Sequence, residues 1–166
     1  MDNTTKKSIT LRKIGEKFPE FVLGTHSLFG DDTVLARKEG IVEVCAFLRD
    51  EPGLQYGFLM DLTAVDYLGQ GKSERFEMVY HFYSLEHNHR VRIKVPVSEE
   101  DCRLDSISSL WASANWAERE VWDLYGIKFN GHPDLRRILL YEPFEGHPLR
   151  KDYPLKKRQP LIGPNN

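Results

Sequence analysis

Two histidine-centred turns near the end of the chain are the first place where this sequence could do chemistry. The residues Gly131-His132-Pro133-Asp134-Leu135-Arg136 are echoed fifteen positions later by Gly146-His147-Pro148-Leu149-Arg150. Glycine permits unusual backbone angles and proline fixes the direction of the chain, so each turn can point its histidine and arginine outward. The two histidines, with Asp134 or Glu145 as an oxygen ligand, could bind zinc for a metal-assisted hydrolysis. Each histidine is followed by proline, which suits a simple turn equally well.

The same region carries two basic pairs, Arg136-Arg137 and Arg150-Lys151. Paired basic side chains could clamp a phosphate group on a small molecule or on RNA. The sequence offers no glycine-rich loop between a strand and a helix for a nucleotide, and its net charge is −2 with histidine neutral. A balanced charge weakens the RNA interpretation, so we expect no nucleic-acid partner.

Immediately upstream, residues 114–125 are predicted to form a helix that ends at Gly126. The helix is dense in charged and aromatic side chains, and Trp and Arg are enriched at interface hot spots, which predicts a docking surface. The competing interpretation is an ordinary amphipathic helix that is packed by Trp116 and Tyr125 and turns its charged face to solvent.

Two charge spacings in this helix have distinct consequences. Arg119 precedes Asp123 by four residues, a spacing that permits an ion pair along the helix. Glu118 and Glu120 point in directions roughly 160° apart because each helical residue advances by about 100°. The two carboxylates do not converge on one bond, which argues against paired-carboxylate catalysis.

The elements that position these residues predict an α+β fold, with helices packed on a mostly antiparallel sheet, followed by a helix and an extended Pro/Arg-rich C-terminal tail. Val91, Ile93 and Val95 alternate with Arg92 and Lys94, as in a strand with one buried face. Helices are predicted over residues 5–20 and from residue 41 to a stop at 51–53. Short extended pieces at 21–23 and 33–36 flank a turn at Gly30-Asp31-Asp32. Strands are predicted over 56–67, 76–83 and 91–95.

Prolines recur after the last helix too often for regular structure, from Pro133 to Pro160. We therefore divide the chain into an α+β core domain, residues 1–128, and an extended partner-binding tail, residues 129–166. In the isolated chain we expect residues beyond Phe129 to be mobile.

Composition narrows the class of protein. The 166 residues are 40% hydrophobic and 29% charged, as in a folded domain of ordinary size. No apolar run approaches the ~18–20 residues that span a bilayer, so we expect membrane contact only through a partner. Cys45 and Cys102 are expected to be reduced thiols, and two thiolates cannot complete the usual four-ligand shell of an iron–sulfur cluster.

Three long stretches resemble the 30-kilodalton subunit of respiratory complex I. They are EREVWDLYGI at 118–127, GHPDLRRIL at 131–139 and FEGHPLRKDYPL at 144–155. Residues 58–67 and 75–81 are similar as well, so the resemblance covers about residues 8–158. Similar subunits also occur in membrane-bound hydrogenases and in other quinone-reducing complexes, which stay open as alternatives.

The resemblance implies a non-catalytic structural and assembly subunit in the peripheral arm of a proton-translocating NADH–quinone oxidoreductase. That complex passes electrons from NADH through FMN and iron–sulfur clusters to quinone, and those cofactors are expected in partner subunits. The chain itself is expected to carry no catalytic, cofactor-binding or metal-binding residue. It would bind the 49-kilodalton-type subunit of the quinone site, on the cytoplasmic side of the bacterial inner membrane, as a peripheral protein.

The candidate site is therefore a subunit interface that docks and orders the tail. The residues that would form it are Trp116, Glu118, Arg119, Asp123, Tyr125, His132, Asp134, Arg136, Arg137, His147, Arg150 and Asp152.

Overall fold

The β-branched and aromatic runs in the first two-thirds of the chain form a five-stranded sheet in the computed structural model, which describes residues 8–159. The strands lie in the order β1-β2-β5-β4-β3, and their neighbours are antiparallel except for the parallel pair β2–β5. This confirms the mostly antiparallel sheet. The strands are β1 (Val22–Leu28), β2 (Asp31–Ala36), β3 (Phe58–Asp66), β4 (Phe76–Ser84) and β5 (His89–Val97).

One face of the sheet is covered and the other is partly open. Val91, Ile93 and Val95 are buried, whereas Arg92 and Lys94 reach the outer face, as the alternation predicts. Three helices complete the core against the inner face: α1 (Ile9–Lys17), α2 (Ile41–Asp50) and α3 (Ala112–Tyr125).

Helix α1 is shorter than predicted. The hydroxyl of Ser8 caps it by accepting a hydrogen bond from Leu11 N at 3.2 Å. It ends before Phe18 because the following Pro19 disfavours a helical conformation at the residue that precedes it. Residues 5–7 of the predicted helix lie outside the described residues.

The predicted turn at Gly30-Asp31-Asp32 is displaced by one residue. The chain turns at Phe29 and Gly30, whose φ angles are 55° and 87°, and Leu28 pairs with Asp31. Positive φ at both central residues is the geometry of a two-residue hairpin turn that matches strand twist. Asp31 and Asp32 therefore belong to β2.

A small second sheet was not predicted. Strands β6 (Arg103–Asp105) and β7 (Lys128–Asn130) pair in parallel on either side of α3 in the sequence. Each has three residues, too few for a periodic hydrophobic pattern. Their pairing brings the chain before α3 next to the chain after it.

Residues 131–159 form neither helix nor strand, in agreement with the irregular tail that the prolines predict. The boundary of the partner-binding tail stays a prediction. None of the helices within residues 8–159 has the length and apolar character that a membrane span requires.

Candidate functional site

The site is built around the C-terminal end of α3. Gly126 ends the helix with a φ of 78°, and its N–H donates to Trp122 O at 2.9 Å. A Cβ at this position would lie 2.6 Å from the His147 ring and 2.9 Å from Arg150 Nη2. Glycine is thus required twice, by the left-handed backbone and by the close approach of the second histidine turn.

The last carbonyl groups of α3 are bound by that turn. A helix leaves its final C=O groups without partners inside the helix. Here, Asp123 O accepts from His147 Nδ1 at 3.0 Å, Leu124 O accepts from Leu149 N at 3.1 Å, and Tyr125 O accepts from Arg150 Nε at 2.5 Å. The Arg150 cation also interacts favourably with the negative end of the helix dipole. Burial lowers the pKa of His147, which keeps the ring neutral with its proton on Nδ1.

The carboxylate of Asp123 binds the first half of the tail. Its Oδ2 atom accepts the N–H groups of Ile138, Leu139 and Leu140 at 3.1, 2.9 and 2.9 Å. Its Oδ1 atom accepts from Arg137 Nη1 at 2.6 Å, and the side chain is fully buried. Burial alone would raise the pKa of Asp123, but these hydrogen bonds outweigh it and hold the pKa below its usual value.

Arg137 is enclosed by aromatic rings as well as by carbonyl groups. Its guanidinium lies 5.7 Å from the centroid of the Trp122 ring and 5.6 Å from that of Phe144. Its Nη2 atom donates to Phe144 O at 2.7 Å. The cation thus joins α3 to the segment that leads to the second histidine turn.

Arg119 does not pair with Asp123, so the predicted ion pair along the helix is wrong within residues 8–159. Its Nε atom donates to Arg136 O at 3.1 Å and its Nη2 atom to Arg137 O at 2.9 Å. The tail backbone supplies both acceptors, because the Asp123 carboxylate is already occupied. We call the set of bonds between α3 and residues 131–150 the α3–tail interlock.

The histidines of both turns bind backbone groups of their own chain. His132 Nε2 donates to Asn115 O at 3.0 Å, and its Nδ1 accepts from Asp134 N at 3.0 Å, so both ring nitrogens are used. Across residues 8–159, no group of three or more His, Cys, Asp or Glu side chains could hold a metal ion. The hydrolase hypothesis therefore gains no support from the described part of the chain.

Glu118 lies inside the protein and cannot reach a partner. It accepts hydrogen bonds from Ser106 Oγ at 2.6 Å and from Ile107 N at 2.8 Å. Burial raises its pKa to about 7, although both hydrogen bonds act in the opposite direction. Glu118 fastens the chain before α3 to the helix.

Arg75 is a residue of the site that the sequence interpretation missed. Its Nη2 atom lies 3.0 Å from Asp66 Oδ2 and 2.7 Å from Asp152 Oδ1, and the guanidinium is almost completely buried. Asp66 also accepts from Lys151 N at 2.8 Å. Arg75 and Asp152 are 77 positions apart, so no local pattern could have revealed this pair.

Several large side chains on the interlock are exposed to solvent. Trp116 is 66% exposed, with the Arg119 guanidinium 5.8 Å from its ring centroid, so the interpretation that Trp116 packs the helix is wrong. Tyr125 is partly buried against the core, as that interpretation requires. Leu139 and Leu149 are exposed in the tail, and the exposed Arg136 pairs with Asp134 at 2.8 Å. Exposed Trp, Leu and Arg side chains are typical of a protein interface.

Similar sequences extend over nearly the whole chain. The family model for the 30 Kd subunit of respiratory-chain NADH dehydrogenase matches residues 34–159. The chain is 50% identical over 153 residues to an NADH-quinone oxidoreductase subunit of Geotalea uraniireducens, covering 91% of both chains. It is 47% identical over 165 residues to the protein of the same name from Geobacter metallireducens, covering 98% of both.

Two solved structures are similar in fold. A trypsin-resistant fragment of Nqo5 superposes with a TM-score of 0.66 and 34% identity, over 76% of this chain and all of the fragment. A chain of the membrane-bound sulfane sulfur reductase, an archaeal respiratory membrane complex, gives a TM-score of 0.71 over 88% of this chain and 84% of that chain. Its sequence is 22% identical, so it shows the fold alone.

Proposed function

Because this chain belongs to the family of 30-kilodalton subunits of respiratory-chain NADH dehydrogenase, we propose that its own role is structural, and that the α3–tail interlock presents a preformed surface to a neighbouring subunit. The chain is a peripheral-arm subunit of an NADH–quinone oxidoreductase. The observation that best supports a structural role is the set of hydrogen bonds that Asp123 accepts. One buried carboxylate binds three consecutive backbone N–H groups and Arg137, and thereby fixes the path of the tail.

The polar side chains of the site support a role without chemistry. His147 and Arg150 bind helix carbonyl groups, His132 bridges two backbone groups, and Asp123 and Arg137 bind each other. A general base or a nucleophile needs a free group that faces a substrate. Groups that are bound to backbone fix the path of the chain instead. We propose that partner subunits carry the FMN and the iron–sulfur clusters.

The proposed partner is the 49-kilodalton-type subunit that forms the quinone site. The exposed side chains of the interlock offer an aromatic anchor, a cation and two apolar contacts, from Trp116, Arg136, Leu139 and Leu149. That composition fits a protein surface better than a nucleic acid or a lipid headgroup. The proposed location is peripheral, on the cytoplasmic side of the inner membrane, with membrane contact through the complex.

Assembly of the complex tests the proposal. A tagged chain with Arg136→Ala or Trp116→Ala is pulled down from solubilised membranes, and each co-purified subunit is quantified by mass spectrometry. Loss of a hot-spot side chain costs at least about 1–2 kcal/mol, so we expect roughly tenfold less 49-kilodalton-type subunit. Turnover per flavin in the complex that remains should equal that of the wild type. The composition of the eluate also identifies the electron-donor module.

Glu100→Ala is the matched control, because Glu100 is an exposed charged residue in the turn after β5, outside the interlock. The melting temperature of each isolated chain should stay unchanged, since Trp116 and Arg136 are exposed. Normal abundance of the complex with lost turnover would contradict a structural role.

A further inference from the structure

The end of the sheet opposite the Arg75–Asp152 contact carries a second set of exposed hydrophobic side chains. Strands β2 and β5 are parallel, so the turns that precede them lie at the same end of the sheet. Strand β3 also begins there, because Phe58 pairs with Tyr83 near the end of β4. We call this set the apolar end; its members are Leu28, Phe29, Phe58, Met60 and Leu85.

Phe29 is the most unusual member of the apolar end. Its side chain is fully exposed at the tip of the β1–β2 hairpin, and its φ is 55°. A bulky residue in the left-handed region is strained, and two-residue hairpin turns favour asparagine, aspartate or glycine at this position. A phenylalanine at this position strains the backbone and exposes an apolar ring to water. Burial of its ring by another molecule would offset that cost.

The charges around the apolar end are not balanced within the chain. Asp32, Asp61 and Glu86 form no ion pair with any residue from 8 to 159, whereas Arg92 pairs with Asp31 at 3.8 Å. Arg90 is held over the Tyr83 ring, 5.4 Å from its centroid. Arg90 keeps its charge there, so the carboxylates of Asp31, Asp32, Asp61 and Glu86 outnumber the guanidinium groups of Arg90 and Arg92 at this end.

Two neighbouring cavities place these carboxylates beside apolar groups. One cavity of about 360 Å³ has three carboxylates and two guanidinium groups in its lining, together with apolar side chains. Its lining residues are Asp31, Asp32, Met60, Asp61, His81, Phe82, Arg90, Val91 and Arg92. The other, of about 250 Å³, shares Asp32 with the first. A long basic side chain matches the larger cavity, because its carboxylates outnumber its guanidinium groups and the methylene stem of the entering side chain can lie on Met60.

We propose that the apolar end is a second interface, which binds a basic, amphipathic segment of another subunit of the complex. Apolar side chains of that segment would cover Phe29, Leu28 and Leu85, and a lysine or arginine would enter the larger cavity. The excess of carboxylates selects this occupant, since a second copy of the chain or an anionic membrane would bring like charges together. This proposal rests on the chain being a subunit of a larger complex and is independent of the partner that the interlock binds.

Accessibility of Phe29 in the assembled complex is the first test. Phe29→Cys is introduced with Cys102→Ser, which leaves Cys45, whose thiol is fully buried. The rate of maleimide labelling is compared between the isolated full chain and the purified complex. We expect labelling at least tenfold slower in the complex.

Identity of the occupant is the second test. A zero-length carbodiimide reagent is used on the complex, and mass spectrometry should find Asp32, Asp61 or Glu86 joined to a lysine of a different subunit. The double variant Asp32→Asn, Asp61→Asn should lose the links to those two positions. Equal labelling rates in the free chain and the complex would overturn the proposal, and so would cross-links to a second copy of this chain alone. Neither outcome depends on the Arg136 and Trp116 experiment, which reports on the interlock.

Discussion

Asp123→Asn should release the tail while leaving the sheet folded. The substitution keeps the size of the side chain but removes its charge and replaces one acceptor oxygen with an NH2 group. Oδ1 now accepts from Arg137 at 2.6 Å and Oδ2 accepts three N–H groups, so an amide meets a donor wherever its NH2 group is placed. Both orientations leave a buried donor unsatisfied.

The expected loss is large because the ion pair is buried. Removal of one partner of such a pair typically costs about 3–5 kcal/mol. Arg137 retains Phe144 O and two aromatic rings, so we take the lower limit, about 3 kcal/mol. That free energy corresponds to a change of roughly a hundredfold in the equilibrium between the bound and released tail.

Hydrogen exchange on the isolated full chain measures this equilibrium residue by residue. Amides of Ile138, Leu139 and Leu140 should exchange roughly a hundredfold faster in the variant, while those of β4 and β5 should not change. Arg136→Ala is the matched control, because its exposed side chain contacts Asp134 and leaves Asp123 untouched. Equal exchange of the three amides in variant and wild type would refute the role of Asp123. The wild-type rates also decide whether the tail is mobile in isolation, a prediction that these intrachain bonds oppose.

Two further predictions concern α3, one at its C-terminal cap and one at a buried carboxyl group in its middle. Gly126→Ala should lower the melting temperature by several degrees, because a left-handed alanine costs about 1–2 kcal/mol and its Cβ would clash with His147 and Arg150. The control is Gly15→Ala in α1, which should not lower the melting temperature because no atom lies within 4 Å of the added Cβ. The same loss in both variants would contradict this. Glu118→Gln should flatten the pH dependence of stability. Folding raises the pKa of Glu118 from 4.5 to about 7, so the folded state binds the proton more tightly than the unfolded state does. The free energy of unfolding of the wild type should therefore fall by about 3 kcal/mol as the pH rises from 4.5 to 7. Urea unfolding at pH 5 and pH 8 measures the free energy of unfolding of both proteins. The same pH dependence in wild type and variant would refute the role of Glu118.

The central sheet could be predicted because its signal is local. Alternation in β5 and the aromatic run of β4 each lie within one element, and α2 ends close to the Pro52-Gly53 stop. Gly126 was recognisable as a helix end for the same reason. Each of these predictions depended on residues within one element or at its end.

The details of the site could not be predicted because its partners are distant in the sequence. Asp66 meets Lys151 across 85 positions, and the β6–β7 pair depends on the path of α3. Arg119 shows the limit of local rules. It precedes Asp123 by four residues, yet its guanidinium donates to carbonyl groups of the tail and the Asp123 carboxylate accepts from N–H groups of the tail. Burial decided that competition, because the three N–H groups of 138–140 have to be satisfied once the tail covers them.

The interlock also changes what the family motif means for binding. Asp123, Arg137, His147 and Arg150 carry much of the resemblance, yet they bind groups of their own chain. Residues that bind a partner must instead be those with exposed surface, such as Trp116, which lies just before the first stretch of the motif. A substitution in the first group should therefore disturb both the isolated chain and the complex, whereas one in the second group should disturb the complex alone. That difference separates folding from docking in a set of residues that the sequence presents as a single motif.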